Sequence, residues 1–422
     1  MGSMATRSAV IVGAGQAGAR TAAALRKQGW QDRILLLGDE PDPPYERPPL
    51  SKDVLAGSTS PENGRIYGPE WYADNAIELR TSARVETLEI GARRIVSGGG
   101  SAENFDILVL ATGCRARTVD CPGTGLEGVL SLRTARDARR LEHLLGSGGD
   151  VVLVGGGFIG LEVAASAVAR GCRVTVLETQ TQLLERAVSS HVADHLARRH
   201  RHRGVDIRLG ARVVAFEGRI GRLRAVRLAD GSCLPADVAV VGVGGIPNVE
   251  LAQAAGLSCD TAGVGGILTD SHCRVADDVY AVGDCARFDD AWLGRPVRLE
   301  SWENAELAPQ AAAKAILGAP EGYGGVPWFW TDQYDLNLQL LGLKQPVERV
   351  LVRCDPESGS FLTLGLSEGR IAMAALFNAG RERRPLKQLI ELRAIVDPRA
   401  LADPDTPLKR LAKEAAANGK PD

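Results

Sequence analysis

The pattern G-x-G-x-x-G occurs twice in this chain, each time between an apolar strand and a helix. Ala9-Val10-Ile11-Val12 reads as a buried strand, Gly13-Ala14-Gly15-Gln16-Ala17-Gly18 opens an alanine-rich helix running to about Gln28, and Ile34–Leu37 is the next strand. Val151–Val154, then Gly155-Gly156-Gly157-Phe158-Ile159-Gly160, then Arg173–Glu178 repeat that order. One such motif alone says little, but strand, glycine turn and helix in sequence specify a dinucleotide-binding α/β unit. The glycines permit a tight turn and let a pyrophosphate approach the positive end of the helix. Gly13, Gly15, Ala17 and Gly18 are thus candidates for one nucleotide. Gly155, Gly157, Ile159, Gly160 and, in the later glycine-rich crossing, Gly244 are candidates for another.

The residue closing each second strand indicates which nucleotide binds. Glu178 stands where a carboxylate accepts hydrogen bonds from both adenosine ribose hydroxyls, which favours NAD; a 2′-phosphate would be repelled there and would want Arg. The first unit's strand ends Leu37-Gly38-Asp39-Glu40, so Asp39 or Glu40 can serve a second nucleotide in the same way. One protein rarely needs two nicotinamides, so FAD is the natural second cofactor.

Composition removes several other classes. The 422 residues suggest about three domains at ~150 residues each, and 50 basic against 52 acidic side chains is too balanced for a nucleic-acid binder. No run of 18 apolar residues and no signal-peptide pattern occurs, so a cytoplasmic protein with no membrane partner is expected. Met1-Gly2-Ser3 ahead of Met4 has the look of a cloning scar. The eight Cys include no C-x-x-C pair and suggest neither a metal site nor an active-site dithiol.

The first nucleotide unit does not finish before the second begins. Ile107–Leu110 followed by Ala111-Thr112-Gly113, and Val279–Val282 followed by Gly283-Asp284, read as strands of the first unit on either side of the second. The expected fold is therefore α/β, with two Rossmann-like dinucleotide-binding domains of the glutathione-reductase-like kind plus a C-terminal α+β domain. The expected boundaries are 4–114 and 248–322 for the FAD-binding domain, 115–247 for the NAD-binding domain and 323–422 for the C-terminal interface domain. In that last domain, strands are expected around 336–342, 347–353, 361–366 and 370–377, then a helix after Pro385.

Five segments together resemble the NADH-dependent ferredoxin reductases that serve oxygenases. They are Pro44-Tyr45-Glu46-Arg47-Pro48-Pro49-Leu50-Ser51-Lys52, Ala111-Thr112-Gly113, Gly155 to Glu162, Tyr280 to Ala286, and Trp328-Phe329-Trp330-Thr331-Asp332-Gln333. The resemblance implies FAD contacts at Ala17, Asp39, Arg47, Lys52, Val85, Thr112, Gly113, Arg133, Asp284 and Trp302. It places an Asp at the position of Asp284 on the flavin ribitol and the chain at Trp302-Glu303 along the ring's pyrimidine edge. It also pairs Lys52 with Glu162 near flavin N5, where Lys52 stabilises incoming electron density and Glu162 orients Lys52. Read from the residues alone, Asp284 also suits a plain cap, Lys52 a solvated surface, and Glu162 a helix surface or a first-turn partner of the helix dipole.

The stretch from Gln16 to Arg80 contains no Cys, which sets the chain apart from reductases that pass electrons through a flavin-side thiol. The expected acceptor is then external: a [2Fe-2S] ferredoxin feeding a haem monooxygenase or a ring-hydroxylating dioxygenase, with electrons from NADH. Trp330 at the flavin edge, and the cluster Arg381, Arg383, Arg384 and Lys387, are candidates for meeting it; Trp330 in the core and the cluster as a solvated face are the plainer alternatives. The run Arg198-Arg199-His200-Arg201-His202-Arg203 reads as a solvated face, with no metal. Rubredoxin reductase, an NADH-sensing flavoprotein resembling apoptosis-inducing factor, and direct oxygen reduction remain as alternatives. A monomer or weak homodimer is expected.

Overall fold

The computed structural model describes residues 7–146 and 148–417; the Met1–Met4 segment lies outside them. Two compact units emerge. The first comprises the chain up to Pro48, Pro61–Arg115 and Gly245–Gly325; the second comprises Pro49–Ser60, Ala116–Gly244 and Val326 onward. The segments expected to form separate NAD-binding and C-terminal domains thus fall in one unit. Pro49–Ser60, expected with the FAD-binding residues, falls there as well. Its backbone explains why: Ser166 Oγ donates to Ser51 O at 2.9 Å, tying this excursion to the helix Phe158–Ala169.

The first unit is built on a six-stranded sheet in the order Arg274–Ala276, Val279–Ala281, Ile107–Leu110, Ser8–Val12, Arg33–Leu37, Ile77–Arg80. All neighbours run parallel except the first pair. Parallel strands covered on both faces need continuous apolar runs, and Ala9, Val10, Ile11, Ile34, Leu35, Leu36, Leu108 and Val109 are all fully buried. At about 1.5–3 kcal/mol for each large aliphatic side chain buried, this layer is the main source of the unit's stability. Helices Gln16–Lys27 and Trp302–Ile316 cover one face, through Ala22, Leu25, Ala308 and Ala312.

The second unit repeats the scheme with a parallel sheet ordered Asp206–Leu209, Arg173–Glu178, Asp150–Val154, Val238–Val241, Val129–Leu130. It adds a five-stranded antiparallel sheet ordered Trp328–Gln333, Leu336–Leu341, Arg370–Phe377, Phe361–Ser367, Arg349–Arg353. The expected C-terminal strands form, preceded by Trp328–Gln333, itself a strand. The helix expected after Pro385 runs from Arg383 to Glu391; Pro385 fits in its first turn, where no N–H is needed. Arg353, 5% exposed, closes the C-terminal end by donating to the carbonyls of Leu401, Asp403, Pro404 and Thr406.

Candidate functional site

Both glycine turns lie at the carboxyl ends of parallel strands, where open α/β sheets bind their ligands. In the first, a Cβ on Gly13 would stand 2.2 Å from Ala111 O, and one on Gly18 would stand 1.9 Å from Gly13 O. The fold itself therefore forbids any side chain at these two positions. Gly15 is different: its backbone, φ −81° and ψ −168°, suits any residue, and a Cβ there would meet nothing within 4 Å. Folding of the chain does not account for this glycine, which leaves open space beside the turn. The second turn behaves alike. Gly155 and Gly160 would clash with Gly242 O at 2.4 Å and Gly155 O at 2.3 Å, while Gly157 has only Gly242 O at 3.8 Å.

Around the first turn the structure gathers most of the residues expected to hold the flavin. A Cβ on Gly283 would come within 2.8 Å of the Ala17 methyl, so the turn Gly283–Cys285 carrying Asp284 sits against the start of helix Gln16–Lys27. Cys114 Sγ lies 3.5 Å from Asp284 Oδ2. Gln16 Nε2 reaches Trp302 O at 3.5 Å, and Thr112 exchanges hydrogen bonds of 2.7 and 2.8 Å with Asn248, next to Gly113. Ala83 N bonds Gly38 O at 2.7 Å, which brings the strand from Val85 to the Asp39 end. Asp39 is exposed, while Glu40 is turned to Arg47 at 2.6 Å and to Tyr45. Of the two acids left open by the sequence, Asp39 is the one presented to solvent. Lys52 and Arg133 belong to the second unit.

Around the second turn, Glu178 Oε2 accepts from Gly156 N at 2.8 Å and Oε1 from Gln180 N at 2.9 Å. Its carboxylate is thereby fixed at the end of the strand Arg173–Glu178, the position that suits a ribose diol. Gly244 has φ +105°, open only to glycine without strain, and faces Arg186. Arg133 precedes Thr134, which makes a reciprocal cap with Asp137 for helix Ala135–Leu145.

The most unusual electrostatics of the second unit surround Glu162. It lies in the second turn of its helix, not the first, and is 7% exposed. Both the helix-dipole and the surface readings therefore fail, because the first-turn N–H groups are behind it. Lys52 Nζ stands 3.5 Å from Glu162 Oε1 and 3.2 Å from Asp332 Oδ2, with its own side chain 13% exposed. Thr331 Oγ1 donates to Glu162 Oε1 at 2.7 Å, and Ser51 Oγ donates to Oε2. Burial pushes the Glu162 carboxyl above its ordinary range, while Lys52, Ser51 and Thr331 pull it back.

Strand alternation explains the rest of the cluster. Along Trp328–Gln333, Thr331 and Gln333 are buried, while Trp328, Trp330 and Asp332 face the other way. Trp330 is stacked on Trp328 at 4.9 Å, donates to Asp332 at 3.1 Å and has the Lys52 ammonium 5.4 Å from its ring centre. It is half-buried and not a core residue. Arg383 lies over Trp328 at 4.3 Å, with Arg381 and Arg384 exposed nearby in sequence and Lys387 half-buried.

Sequence reasoning missed Ser51, Asp332 and, above all, the trio of buried His200 and Gln333 with half-buried Tyr334. The Arg198–Arg203 run is not wholly a solvated face: His200 is 1% exposed. Its position in the apolar set Val192, Ala193, Leu196, Ala197 of helix Ser190–His202 was the available signal.

All eight cysteines are free. Cys285 is fully buried with its thiol pushed upward, and burial raises Cys273 to about 12, so neither is poised as a thiolate. Among the described residues no three His, Cys, Asp or Glu side chains form a metal site, and no helix is long and apolar enough to cross a membrane.

Comparison with known proteins identifies the family. Residues 7–315 match the family Pyridine nucleotide-disulphide oxidoreductase and residues 328–412 match Reductase C-terminal. The chain is 43% identical over 404 residues to the anthranilate 1,2-dioxygenase system ferredoxin–NAD(+) reductase component of Burkholderia cepacia, covering 95% of this chain and 98% of that one. It is 37% identical over 420 residues to putidaredoxin reductase of Pseudomonas putida, covering 98% of each. The crystal structure of the covalent putidaredoxin reductase–putidaredoxin complex matches with a TM-score of 0.93 at 37% identity, over 99% of this chain and 100% of that one. With two nucleotide cradles, no thiol pair and both family signatures in place, the chain belongs to the NADH-dependent ferredoxin reductases, FAD-containing members of the pyridine nucleotide-disulphide oxidoreductases.

Proposed function

We propose that this protein takes electrons from NADH and delivers them, with FAD as its resident cofactor, to a [2Fe-2S] ferredoxin that serves an oxygenase. The observation that carries the reading is the pair of glycines, Gly15 and Gly157, whose presence the fold alone does not require. Each marks a cradle that a Cβ would fill. When bound, the flavin supplies the exchange between a two-electron donor and a one-electron acceptor, chemistry absent from side chains.

The chain's own residues bind, orient and tune. Gly13, Gly15, Ala17 and Gly18, with Asp39, Arg47, Val85, Thr112, Gly113, Arg133, Asp284 and Trp302, hold the flavin nucleotide. Gly155, Gly157, Ile159, Gly160, Gly244 and Glu178 hold NADH; the Glu178 carboxylate selects against a 2′-phosphate by charge. Lys52 presents a cation to the isoalloxazine, and Glu162 fixes the direction of that cation from a buried site. A preoriented charge of this kind stabilises developing negative charge without reorganisation. Trp330, Trp328 and the Arg381, Arg383, Arg384 and Lys387 group form the face offered to an acidic ferredoxin, positive charge steering encounter.

Steady-state reduction of cytochrome c tests this directly, using NADH or NADPH and adding a [2Fe-2S] ferredoxin, a rubredoxin or no carrier. The expected outcome is preference for NADH and a rate dependent on the ferredoxin. Equal rates with rubredoxin would reassign the acceptor. Slow reduction with every carrier, although NADH binds, would overturn the electron-transfer role in favour of a sensor. Rapid NADH oxidation by oxygen alone would make the protein an oxidase.

A further inference from the structure

The Glu162 carboxyl is the end of a continuous chain of hydrogen bonds within the second unit, buried from Glu162 to His200 and half-buried at Tyr334. Tyr334 Oη meets His200 Nδ1 at 3.0 Å, His200 Nε2 meets Gln333 Oε1 at 2.8 Å, Gln333 Nε2 donates to Thr331 Oγ1 at 3.0 Å, and Thr331 Oγ1 donates to Glu162. Gln333, Thr331 and His200 are each 2% exposed or less, so water does not break the sequence.

Donor counting gives this chain only two directions that satisfy its central links. In one, Tyr334 donates to His200 Nδ1, His200 is protonated on Nε2 and donates to Gln333 Oε1, and the Gln333 amide donates to Thr331. The Thr331 hydroxyl is then left to donate to Glu162 Oε1 and, with Ser51 donating to Oε2, both oxygens accept, as those of a carboxylate do. In the other, every link is reversed. Glu162 as an acid donates to Thr331, Thr331 donates to a flipped Gln333, Gln333 donates to Nε2, and His200 carries its proton on Nδ1 toward the Tyr334 oxygen. A mixed state either leaves a buried donor facing a donor or, when the acid proton sits on Oε2 toward Ser51, takes from the buried Ser51 hydroxyl hydrogen its acceptor, Glu162 Oε2, a cost of several-fold in population for each mismatched bond.

We propose that His200 is a positioning residue for the Lys52–Glu162 pair, its tautomer locked through Gln333 and Thr331 to whether Glu162 is a carboxylate or an acid. With the hydroxyl of Thr331 held on the carboxylate, Glu162 keeps its charge and its hold on Lys52; with the chain reversed, that hold is lost. The inference rests on the proposed role of Lys52 and Glu162 toward the flavin, but the coupling itself involves neither nucleotide.

The surroundings keep His200 in its neutral forms, where a tautomer exists to be chosen. Burial and the adjacent Arg199 both lower its pKa from the ordinary value, against the pull of Gln333. Arg203 lies over the Tyr334 ring at 5.1 Å, and Asp335 pairs with both Arg199 and Arg203. Tyr334 has φ +58°, a costly backbone for an aromatic residue, at the hairpin turn between Gln333 and Leu336. The hydrogen bond to His200 and the ring contact with Arg203 hold it there. At the other end, Lys52 is the charge facing Glu162 and is itself paired with Asp332.

Long-range proton–nitrogen correlation of the full-length, FAD-loaded protein labelled with nitrogen-15 at histidine reads the tautomer. His200 is assigned by loss of its signals in H200Q, and the ionisation of Glu162 is followed by the carboxyl infrared band that E162Q removes. The expected result is the Nε2–H tautomer while Glu162 is ionised and conversion toward Nδ1–H as the acid band grows, both with one midpoint. T331V, which deletes the linking hydroxyl, should separate the two midpoints and move that of Glu162 upward by about one pH unit, the worth of one hydrogen bond to a charge; T331S should restore both. A His200 imidazolium at neutral pH, a tautomer unchanged across the Glu162 titration, or matching behaviour in T331V and wild type would overturn the coupling. Failure of the underlying reading shows elsewhere: K52M and E162Q would then reduce the bound flavin with NADH at the wild-type rate, whatever the spectra report.

Discussion

Replacing Gly15 by Ala separates what the fold needs from what the cofactor needs. The new methyl enters space with no atom within 4 Å, on a backbone at φ −81° that alanine adopts freely. Removing glycine's freedom in the unfolded chain should raise the stability of the flavin-free protein by about 0.4–1 kcal/mol. The same methyl blocks close approach of a pyrophosphate to the N–H groups at the start of helix Gln16–Lys27. Losing one or two charge-assisted hydrogen bonds at roughly 1.5–3 kcal/mol each costs about 3 kcal/mol, or roughly 100-fold in FAD affinity. Gly18→Ala is the control, because its methyl would stand 1.9 Å from Gly13 O and must damage the turn with or without cofactor. Differential scanning fluorimetry of the flavin-free proteins and quenching of FAD fluorescence on titration measure the two quantities. Wild-type FAD affinity in G15A, or a flavin-free G15A as damaged as G18A, would refute the argument.

Other expectations follow from the same geometry. Glu178→Ala should raise KM for NADH at least about tenfold by removing charge-assisted hydrogen bonds, with flavin content unchanged, as steady-state kinetics and the flavin absorbance ratio will show. Because burial raises the Glu162 pKa, the native state holds this proton more tightly than the unfolded chain, so the stability it contributes is present at acid pH and lost as pH rises through the raised value. Glu162→Gln should remove that decline, seen as melting temperature against pH upward from the ordinary carboxyl range. The lowered pKa values of half-buried His195 and buried His200 act in the opposite sense: their contribution is complete above about 6.5 and falls away on acidification, a loss that H195Q and H200Q should each reduce in acid denaturation curves. Arg353→Met leaves four carbonyls without their donor and should destabilise the protein by about 3 kcal/mol, measured by urea unfolding.

Much of this architecture was legible because it rests on local rules. The two apolar strands, the glycine turns and the carboxylates at 39 and 178 follow from backbone sterics and charge within some 30 residues of sequence. What escaped was settled by residues distant in the chain. The pairing of Glu162 with Lys52 came from the resemblance; the residues alone also allowed a helix-surface acid, because nothing nearby reveals that Ser51 and Thr331 close over it. His200 was hidden among arginines, since a run of charges suggests solvent even when one member in it falls on the apolar face of its helix. Gln333 and Tyr334 could not be found from periodicity at all; their partners come from a helix more than a hundred residues earlier. The grouping of Pro49–Ser60 with the second unit was equally out of reach, because twelve residues of turns carry no pattern that names their partner.

That alternation of segments has a consequence for how the protein is made. The strand Ile107–Leu110 cannot receive its neighbour Val279–Ala281 until all of Ala116–Gly244 has left the ribosome, so the first sheet waits, one edge unpaired, through the synthesis of an entire nucleotide-binding unit. Such edges invite pairing with other chains, and the parallel closure that ends the wait is intrinsically slow. Yield from overexpression should therefore depend more on the rate of translation and on chaperone supply than on the stability of the finished enzyme.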